Sequence, residues 1–222
     1  FDVDGTLCDT TIAHYYRYFM LRRLSPWAGR FWYAAFLAKC VYYLLLDKFD
    51  RQRLNVVFYR NYAGLPATDI KAQAADCHDA VVVPRRFDQA AACVEEHRVA
   101  GRAIVLVTGS LDFIIAPLAE ETRADAVIAA RLIESGGRFT GKLDGPPIGG
   151  EEKARRMRDF AQQRGVDLSR SHAFGDSMAD LPMLEVVGFP HAVNPDRGLY
   201  AIARRREWPT HHWTVAAQST GG

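Results

Sequence analysis

Two patterns of hydrophobic and polar positions divide the chain. From about residue 84 onward, short apolar runs alternate with segments whose apolar residues recur every three or four positions. Residues 103–110, AIVLVTGS, form a β-branched run, as expected of a strand buried on both faces of a parallel sheet. A predicted helix, residues 111–122, and a predicted strand, residues 124–130, follow. This alternation predicts an α/β fold with a doubly wound parallel sheet.

The last third of the chain continues the alternation. Residues 131–143 predict a hairpin that turns at Gly136 and Gly137, and residues 151–165 predict a helix that Gly165 ends. Two further strand and helix pairs complete the pattern: strands at residues 172–177 and 190–194, and helices at residues 180–187 and 197–206.

Residues 13–81 differ from the rest because they are rich in aromatic side chains and contain no clear strand pattern. Gly64 and Pro66 end one predicted helix, and Thr68 or Asp69 is placed to begin the next. We interpret residues 13–81 as a helical cap domain inserted after the first strand. Residues 1–12 and 82–222 then form the catalytic core.

One segment of this insertion, residues 31–46 (FWYAAFLAKCVYYLLL), is nearly continuous in its apolar character. It is shorter than the ~20 apolar residues that cross a bilayer, and Lys39 interrupts it. It therefore predicts either a buried helix, the interpretation we favour, or a surface that meets lipid or an apolar substrate. Basic residues lie within and around it, as at membrane interfaces: Arg22, Arg23, Arg30, Lys39 and Lys48.

Composition limits the class of protein. The 222 residues carry 28 lysines and arginines and 26 aspartates and glutamates, and this mixed charge gives no indication of a nucleic-acid partner. The four cysteines are widely spaced, which is typical of a reduced cytoplasmic protein. The sequence does not indicate an oligomeric state. We also expect the natural chain to begin several residues before Phe1, because a buried first strand needs more apolar residues before Asp2.

Polar side chains follow the predicted strands at one edge of the sheet. Ligands bind to such sheets beyond the carboxyl ends of the strands. The candidate residues there come from three segments: Asp2 and Asp4; Thr108, Gly109 and Ser110; and Asp176 and Asp180. Converging carboxylates repel one another unless a cation neutralises them, and Mg²⁺ prefers oxygen ligands together with phosphate. Asp2 and Asp176 are the predicted Mg²⁺ ligands.

The same residues suit phosphoryl transfer. Asp2 could attack phosphorus to form an aspartyl phosphate, and Asp4 could exchange protons with the leaving alcohol and with water. Thr108 and the backbone N–H groups of Gly109 and Ser110 could hold phosphoryl oxygens, and we place Thr6 in this phosphate-binding group. Lys153, near the start of a predicted helix, could neutralise charge on the nucleophile and the phosphate.

The order of these motifs resembles the haloacid dehalogenase-like superfamily, in particular its phosphoserine-phosphatase-like branch. The matching stretches are DVDGTL (residues 2–7), LVTGS (106–110), GGEEKARRM (149–157) and GDSMADLPML (175–184). The resemblance implies a Rossmann-like core with a C1-type cap and Mg²⁺-dependent phosphoryl transfer. It also implies that the backbone carbonyl of Asp4 binds the metal and that Asp180 lies in the second coordination shell.

Two departures from the family pattern bear on the substrate. Thr11 stands where the phosphoserine phosphatases have a glutamate that receives the substrate ammonium group, and Ala179 replaces an asparagine of the fourth motif. The sequence therefore predicts a phosphatase for a small or lipid-like phosphate ester other than L-phosphoserine. The alternative is a non-enzymatic module of the same fold that binds Mg²⁺ or phosphate. Peripheral membrane contact stays open.

Overall fold

A computed structural model of the chain describes residues 1–49 and 51–215, without the side chains of residues 45–49, 51 and 52. The helices are α1 (Ile12–Arg23), α2 (Pro26–Phe49), α3 (Arg51–Tyr59), α4 (Ala67–Ala72), α5 (Ala74–Cys77), α6 (Asp88–Val99), α7 (Asp112–Glu121), α8 (Glu151–Arg164), α9 (Leu181–Glu185) and α10 (Arg197–Arg205). The strands are β1 (Val105–Leu111), β2 (Ala126–Ala130), β3 (Leu132–Ser135), β4 (Arg138–Leu143), β5 (His172–Gly175), β6 (Phe189–Val193) and β7 (Thr210–His211).

Parallel strands form the centre of the molecule. β1 pairs with β2, and β6 lies between β5 and β7. Residues 1–3 join the two groups, because Val107 N–H donates to Phe1 O at 2.8 Å and Asp2 N–H donates to Phe174 O at 2.9 Å. The order is therefore β2–β1–residues 1–3–β5–β6–β7. The chain runs outward from this centre in both directions, which confirms the predicted doubly wound α/β fold.

The N-terminal segment leaves the sheet through a tight turn. After residues 1–3 the chain does not continue as a regular strand; Asp4 instead pairs with Cys8 in an isolated bridge. Gly5 has a φ of 92°, and the carbonyl of Val3 accepts the N–H group of Leu7 at 2.9 Å. This tight turn leaves Asp2 and Asp4 at the carboxyl edge of the sheet.

A helical segment and a hairpin stand beside that edge. β3 and β4 form the predicted antiparallel hairpin, with glycines at positive φ in its turn. The hairpin hydrogen-bonds to the turn between α3 and α4: Gly64 N–H donates to Phe139 O at 2.8 Å, and Phe139 N–H donates to Leu65 O at 3.0 Å. These contacts hold residues 12–85, whose described elements are all helical, against the sheet-bearing part of the chain.

Aromatic packing organises the helical segment. Tyr16 of α1 contacts Phe36 of α2 and Phe58 of α3, with ring centroids 5.7 Å apart in both pairs. Tyr62 joins the same cluster and is fully buried. These aromatic side chains therefore form a core within the helical segment.

α2 corrects the favoured interpretation of residues 31–46 as a buried helix. Phe36 and Tyr43 are buried, but Trp27 and Phe31 are 72% and 76% exposed. Among the described side chains of α2, one face packs against α1 and α3 and the opposite face is exposed. Within the described part of the chain, none of the helices combines the length and the apolar character that crossing a bilayer requires.

Candidate active site

The predicted site residues meet in a cleft of about 220 Å³ between the carboxyl edge of the sheet and the helical segment. The N-terminal residues 1–4 and the turn after β5 supply carboxylates, and the end of β1 supplies hydroxyl groups. α8 supplies an ammonium group. Seven of the nine predicted site residues line the cleft: Asp2, Asp4, Thr108, Gly109, Ser110, Lys153 and Asp180.

Lys153 lies at the floor of the cleft between two carboxylates. Its Nζ donates to Asp2 Oδ1 at 2.5 Å and to Asp180 Oδ1 at 2.6 Å, and all three side chains are at most 6% exposed. α8 places it there, because Gly150 immediately precedes the helix and its N–H donates to Ala179 O at 2.9 Å. The start of α8 is thereby joined to the turn that carries Asp180.

The charges in this cluster shift the ionisation of its members. Burial raises the pKa of Asp2 to about 6, against the opposing effect of Lys153. Burial alone would lower the pKa of Lys153, but Asp180 and Asp2 raise it above its ordinary value. At neutral pH we therefore expect a protonated Lys153 paired with an ionised Asp2.

Asp176 completes a group of carboxylates that suits a hard cation. One oxygen each of Asp2, Asp176 and Asp180 lies within 4.8 Å of the others. With Lys153, three negative charges and one positive charge leave a formal charge of −2. A Cβ at Gly5 would lie 2.4 Å from Asp176 Oδ2, so only glycine leaves room for this carboxylate. The donor set and its charge fit Mg²⁺.

Of the three carboxylates, Asp180 is the least available to bind a metal ion, because both of its oxygens accept hydrogen bonds. Its Oδ1 accepts from Lys153, and its Oδ2 accepts from the Ser177 hydroxyl at 3.0 Å and from the N–H groups of Asp176 and Ser177 at 3.2 Å. Asp180 therefore fixes the turn that carries Asp176. This geometry suits the second-shell position that the sequence predicts for Asp180, which stays a prediction.

Asp4 has a different environment from Asp2. Its Oδ1 accepts from the hydroxyl groups of Thr10 at 2.7 Å and Tyr15 at 2.9 Å, and its Oδ2 accepts from Ser110 Oγ at 2.6 Å. Thr108 Oγ1 lies 3.4 Å from Oδ2. Burial raises the pKa of Tyr15 well above 10, so its hydroxyl stays a donor. Hydroxyl donors therefore hold Asp4 beside the cleft, and among the described residues no cationic side chain pairs with its carboxylate.

Two predicted phosphate-binding groups have other partners. The Thr6 side chain is fully buried and donates to Asp2 Oδ2 at 3.2 Å. The Ser110 N–H donates to Thr108 Oγ1 at 3.0 Å. Thr6 therefore orients Asp2 and does not face the cleft, because the turn at Gly5 directs it inward; this corrects its predicted phosphate contact. The geometry gives no support to the Ser110 N–H as a phosphate donor.

The wall of the cleft opposite the carboxylates comes from the helical segment and is mainly apolar. Among the described residues of this segment that line the cleft, none is acidic. The lining consists of Thr11, Ile12, Ala13, Cys40, Tyr43, Leu44, Leu54, Asn55 and Phe58. Asn55 is only 7% exposed. Its Nδ2 lies so close to Gly109 that a Cβ added to this glycine would be 2.9 Å away. It supplies an amide at the junction of the two walls.

Sequence reasoning missed the contacts of three residues: Thr10, Tyr15 and Asn55. Thr10 and Tyr15 lie on the turn into α1 and on α1 itself, and their contacts with Asp4 depend on how that helix meets the sheet. Asn55 reaches the cleft because Tyr59, four residues later on α3, donates to Gly109 O at 2.7 Å. No motif in the sequence signals these contacts, since each depends on tertiary packing.

Comparisons with known proteins identify the family of the chain. A family model described as haloacid dehalogenase-like hydrolase matches residues 1–185. A Streptomyces azureus protein named for inhibition of morphological differentiation is 41% identical over 73% of the chain and 59% of its own length. A probable phosphatase of Mycobacterium tuberculosis is 35% identical over 73% of the chain and 56% of its own length. The chain thus spans less than two thirds of these two relatives.

The fold has a solved counterpart. A phosphoserine phosphatase structure described as a phospho-aspartyl intermediate analogue superposes with a TM-score of 0.69 at 17% identity, over 95% of this chain and 90% of that one. At this level of identity the likeness concerns the fold alone.

The Lys153 cluster predicts a large loss of stability when its cation is removed. In Lys153→Met the free energy of unfolding should fall by about 3–5 kcal/mol, because two buried carboxylates lose their countercharge. Urea unfolding with a chelator present measures the loss without rescue by a metal ion. Lys71→Met is the matched control: Lys71 pairs with Glu134 at the surface, and its loss should cost less than about 1 kcal/mol. Equal losses in the two variants would contradict the buried pairing.

Proposed function

Because the chain belongs to the haloacid dehalogenase-like hydrolases, we propose that it is a Mg²⁺-dependent phosphomonoesterase that forms a phosphorylated Asp2. One observation carries the proposal: Lys153 holds Asp2 at the floor of a cleft, with Asp176 close enough to share a cation. The phosphatase-named relative supports the same reaction class. The predicted roles of Asp2, Asp4, Thr108, Lys153 and Asp176 are part of this proposal.

Two displacements at phosphorus account for the reaction. A carboxylate oxygen of Asp2 attacks phosphorus, the bond to the ester oxygen breaks, and Asp4 gives a proton to the departing alkoxide. Asp4 then takes a proton from water, and the resulting hydroxide attacks the phosphorus of the aspartyl phosphate. Inorganic phosphate leaves and the Asp2 carboxylate is restored. Thr108 binds a phosphoryl oxygen, and Lys153 neutralises charge that shifts between Asp2 and the phosphate.

In the proposed mechanism, the metal ion would bind beside Asp2. Asp2, Asp176 and the backbone carbonyl of Asp4 would hold Mg²⁺, which supplies positive charge beside the phosphate. Asp180 orients Lys153 and the turn that carries Asp176. Residues 13–81 of the helical segment act as a cap domain that covers the cleft and excludes water.

Substitutions of the two N-terminal aspartates test the mechanism. With p-nitrophenyl phosphate and Mg²⁺, Asp2→Asn should lower kcat roughly a thousandfold or more, because the nucleophile is lost. Asp4→Asn should lower it by about 10²–10⁴-fold, the usual contribution of a general acid–base group. Chelation of Mg²⁺ should abolish turnover, and added Mg²⁺ should restore it.

Asp9→Asn is the control, since Asp9 is an exposed aspartate of the same turn; its turnover should match that of the unsubstituted chain. Normal turnover in Asp2→Asn would contradict the mechanism. An unsubstituted chain that binds Mg²⁺ and phosphate but turns over no ester would favour the non-enzymatic module.

The cap side of the cleft supports a substrate whose alcohol carries an apolar group. Cys40, Leu54 and Phe58 offer hydrocarbon and ring surface there. Thr11 provides no carboxylate for an ammonium group at the position where the phosphoserine phosphatases have glutamate. A small aryl or alkyl phosphate, or a lipid-like phosphate ester, therefore fits the cleft better than L-phosphoserine.

Kinetics on paired substrates test this preference. We expect kcat/KM for phenyl or alkyl phosphate to exceed that for L-phosphoserine by about tenfold or more, because burial of an apolar group contributes about 1.5–3 kcal/mol. Leu54→Asn should reduce that ratio, whereas Leu21→Asn, on α1 and outside the cleft lining, should leave it unchanged. A faster reaction with L-phosphoserine would contradict the apolar assignment.

A further inference from the structure

We propose that the outer face of α2 docks on the surface of a bilayer that contains anionic phospholipid. This helix is apolar on both sides, unlike a surface helix of a globular protein, which is polar on its outer side. Its inner side buries Phe36 and Tyr43, and its outer side exposes Trp27, Phe31 and Val41 by 72%, 76% and 60%. The outer face therefore needs an apolar environment that the described chain does not supply.

The exposed residues form one continuous stripe. Trp27, Phe31, Ala34, Ala38 and Val41 recur at the three- and four-residue spacing of a single helix face, and all of them are exposed. Further exposed apolar side chains widen the stripe: Leu37, Tyr42 and Leu44. Contiguous apolar patches with a tryptophan near one end are typical of surfaces that meet a protein or a membrane.

Charge decides which partner fits. Residues 12–46 contain five lysines and arginines and neither aspartate nor glutamate. Arg30 lies on α2 itself, with its guanidinium over the Trp27 ring at 5.7 Å. Lys39 is exposed on α2 as well, but its ammonium group lies toward the inner side of the helix, where it donates to Asn61 Oδ1 at 2.7 Å. The side chain of Lys48 lies outside the described residues. Basic side chains beside an apolar stripe suit anionic headgroups above an acyl layer, at about 1 kcal/mol for each lysine or arginine near the surface.

A second copy of the chain fits this face less well. A symmetric dimer would place the same patch on both sides of the interface. Arg30 of both copies would then lie at the interface, with no acidic residue from the stretch 12–46 to neutralise it. In a bilayer, its apolar stem can lie along the acyl boundary while the guanidinium reaches lipid phosphates.

The proposed docking face is continuous with the mouth of the cleft. Leu44 is 68% exposed and also lines the cleft, as does its neighbour Tyr43. A chain docked through α2 would therefore open its cleft toward the lipid surface. The docking itself does not depend on the proposed phosphatase activity, so the two proposals can fail separately.

Vesicle sedimentation tests the docking. The chain should pellet with vesicles of equimolar phosphatidylcholine and phosphatidylglycerol, and less with phosphatidylcholine alone. The double variant Trp27→Asp/Phe31→Asp should bind the equimolar vesicles about tenfold more weakly or worse, because it loses two apolar anchors and gains two negative charges. Val99→Asp is the control: Val99 is 78% exposed on α6, and this variant should bind like the unsubstituted chain.

Turnover of p-nitrophenyl phosphate and the thermal midpoint should be equal in all three chains, which shows that the variants are folded. The proposal is overturned if the unsubstituted chain does not pellet, if it binds both kinds of vesicle equally, or if the double variant binds normally. A dimer in solution that the double variant converts to a monomer would overturn it as well, since the stripe would then be a subunit interface.

Discussion

The arrangement of the site depends on one buried ion cluster, the ammonium group of Lys153 between the carboxylates of Asp2 and Asp180. Without that cation, two buried carboxylates would repel each other and would both lose their hydration. The three residues come from the N-terminal turn, the first turn of α8 and the turn after β5. The cluster therefore joins separate parts of the sheet edge. Together with Asp176 it carries a net negative charge, which suits a divalent cation.

Asp2 and Asp4, only two residues apart, have contrasting environments. Asp2 is buried against an ammonium group, whereas Asp4 is held by hydroxyl groups. Two carboxylates with different surroundings can take different roles in one reaction, here the proposed nucleophile and the proposed acid–base group. The helical segment contributes to both parts of the site, because Tyr15 contacts Asp4 and the apolar residues of α2 and α3 form the facing wall. In the proposed reaction, the sheet edge supplies the chemistry and the helical segment sets the substrate preference.

Much of this structure could be predicted from the sequence because local patterns encode it. The strand–helix alternation predicts the parallel sheet, and the ends of its strands identify the carboxylates and hydroxyls that converge. Contacts that arise from tertiary packing could not be predicted in this way. Tyr15 reaches Asp4 only through the placement of α1, and the inward direction of Thr6 follows from the turn at Gly5. The exposure of the outer face of α2 could not be predicted either. A continuous run of apolar residues looks the same in the sequence whether one side or both sides of the helix are buried.

In the proposed reaction, a phosphoryl group is transferred to Asp2 during turnover. Quenching the reaction with acid while p-nitrophenyl phosphate is in excess, and locating the phosphoryl group by peptide mass spectrometry, tests this step. We expect a phosphorylated aspartate at position 2, present only when substrate and Mg²⁺ are both supplied and absent from Asp2→Asn. A phosphoryl group on Thr108 or Ser110, with rapid turnover and unmodified Asp2, would contradict it.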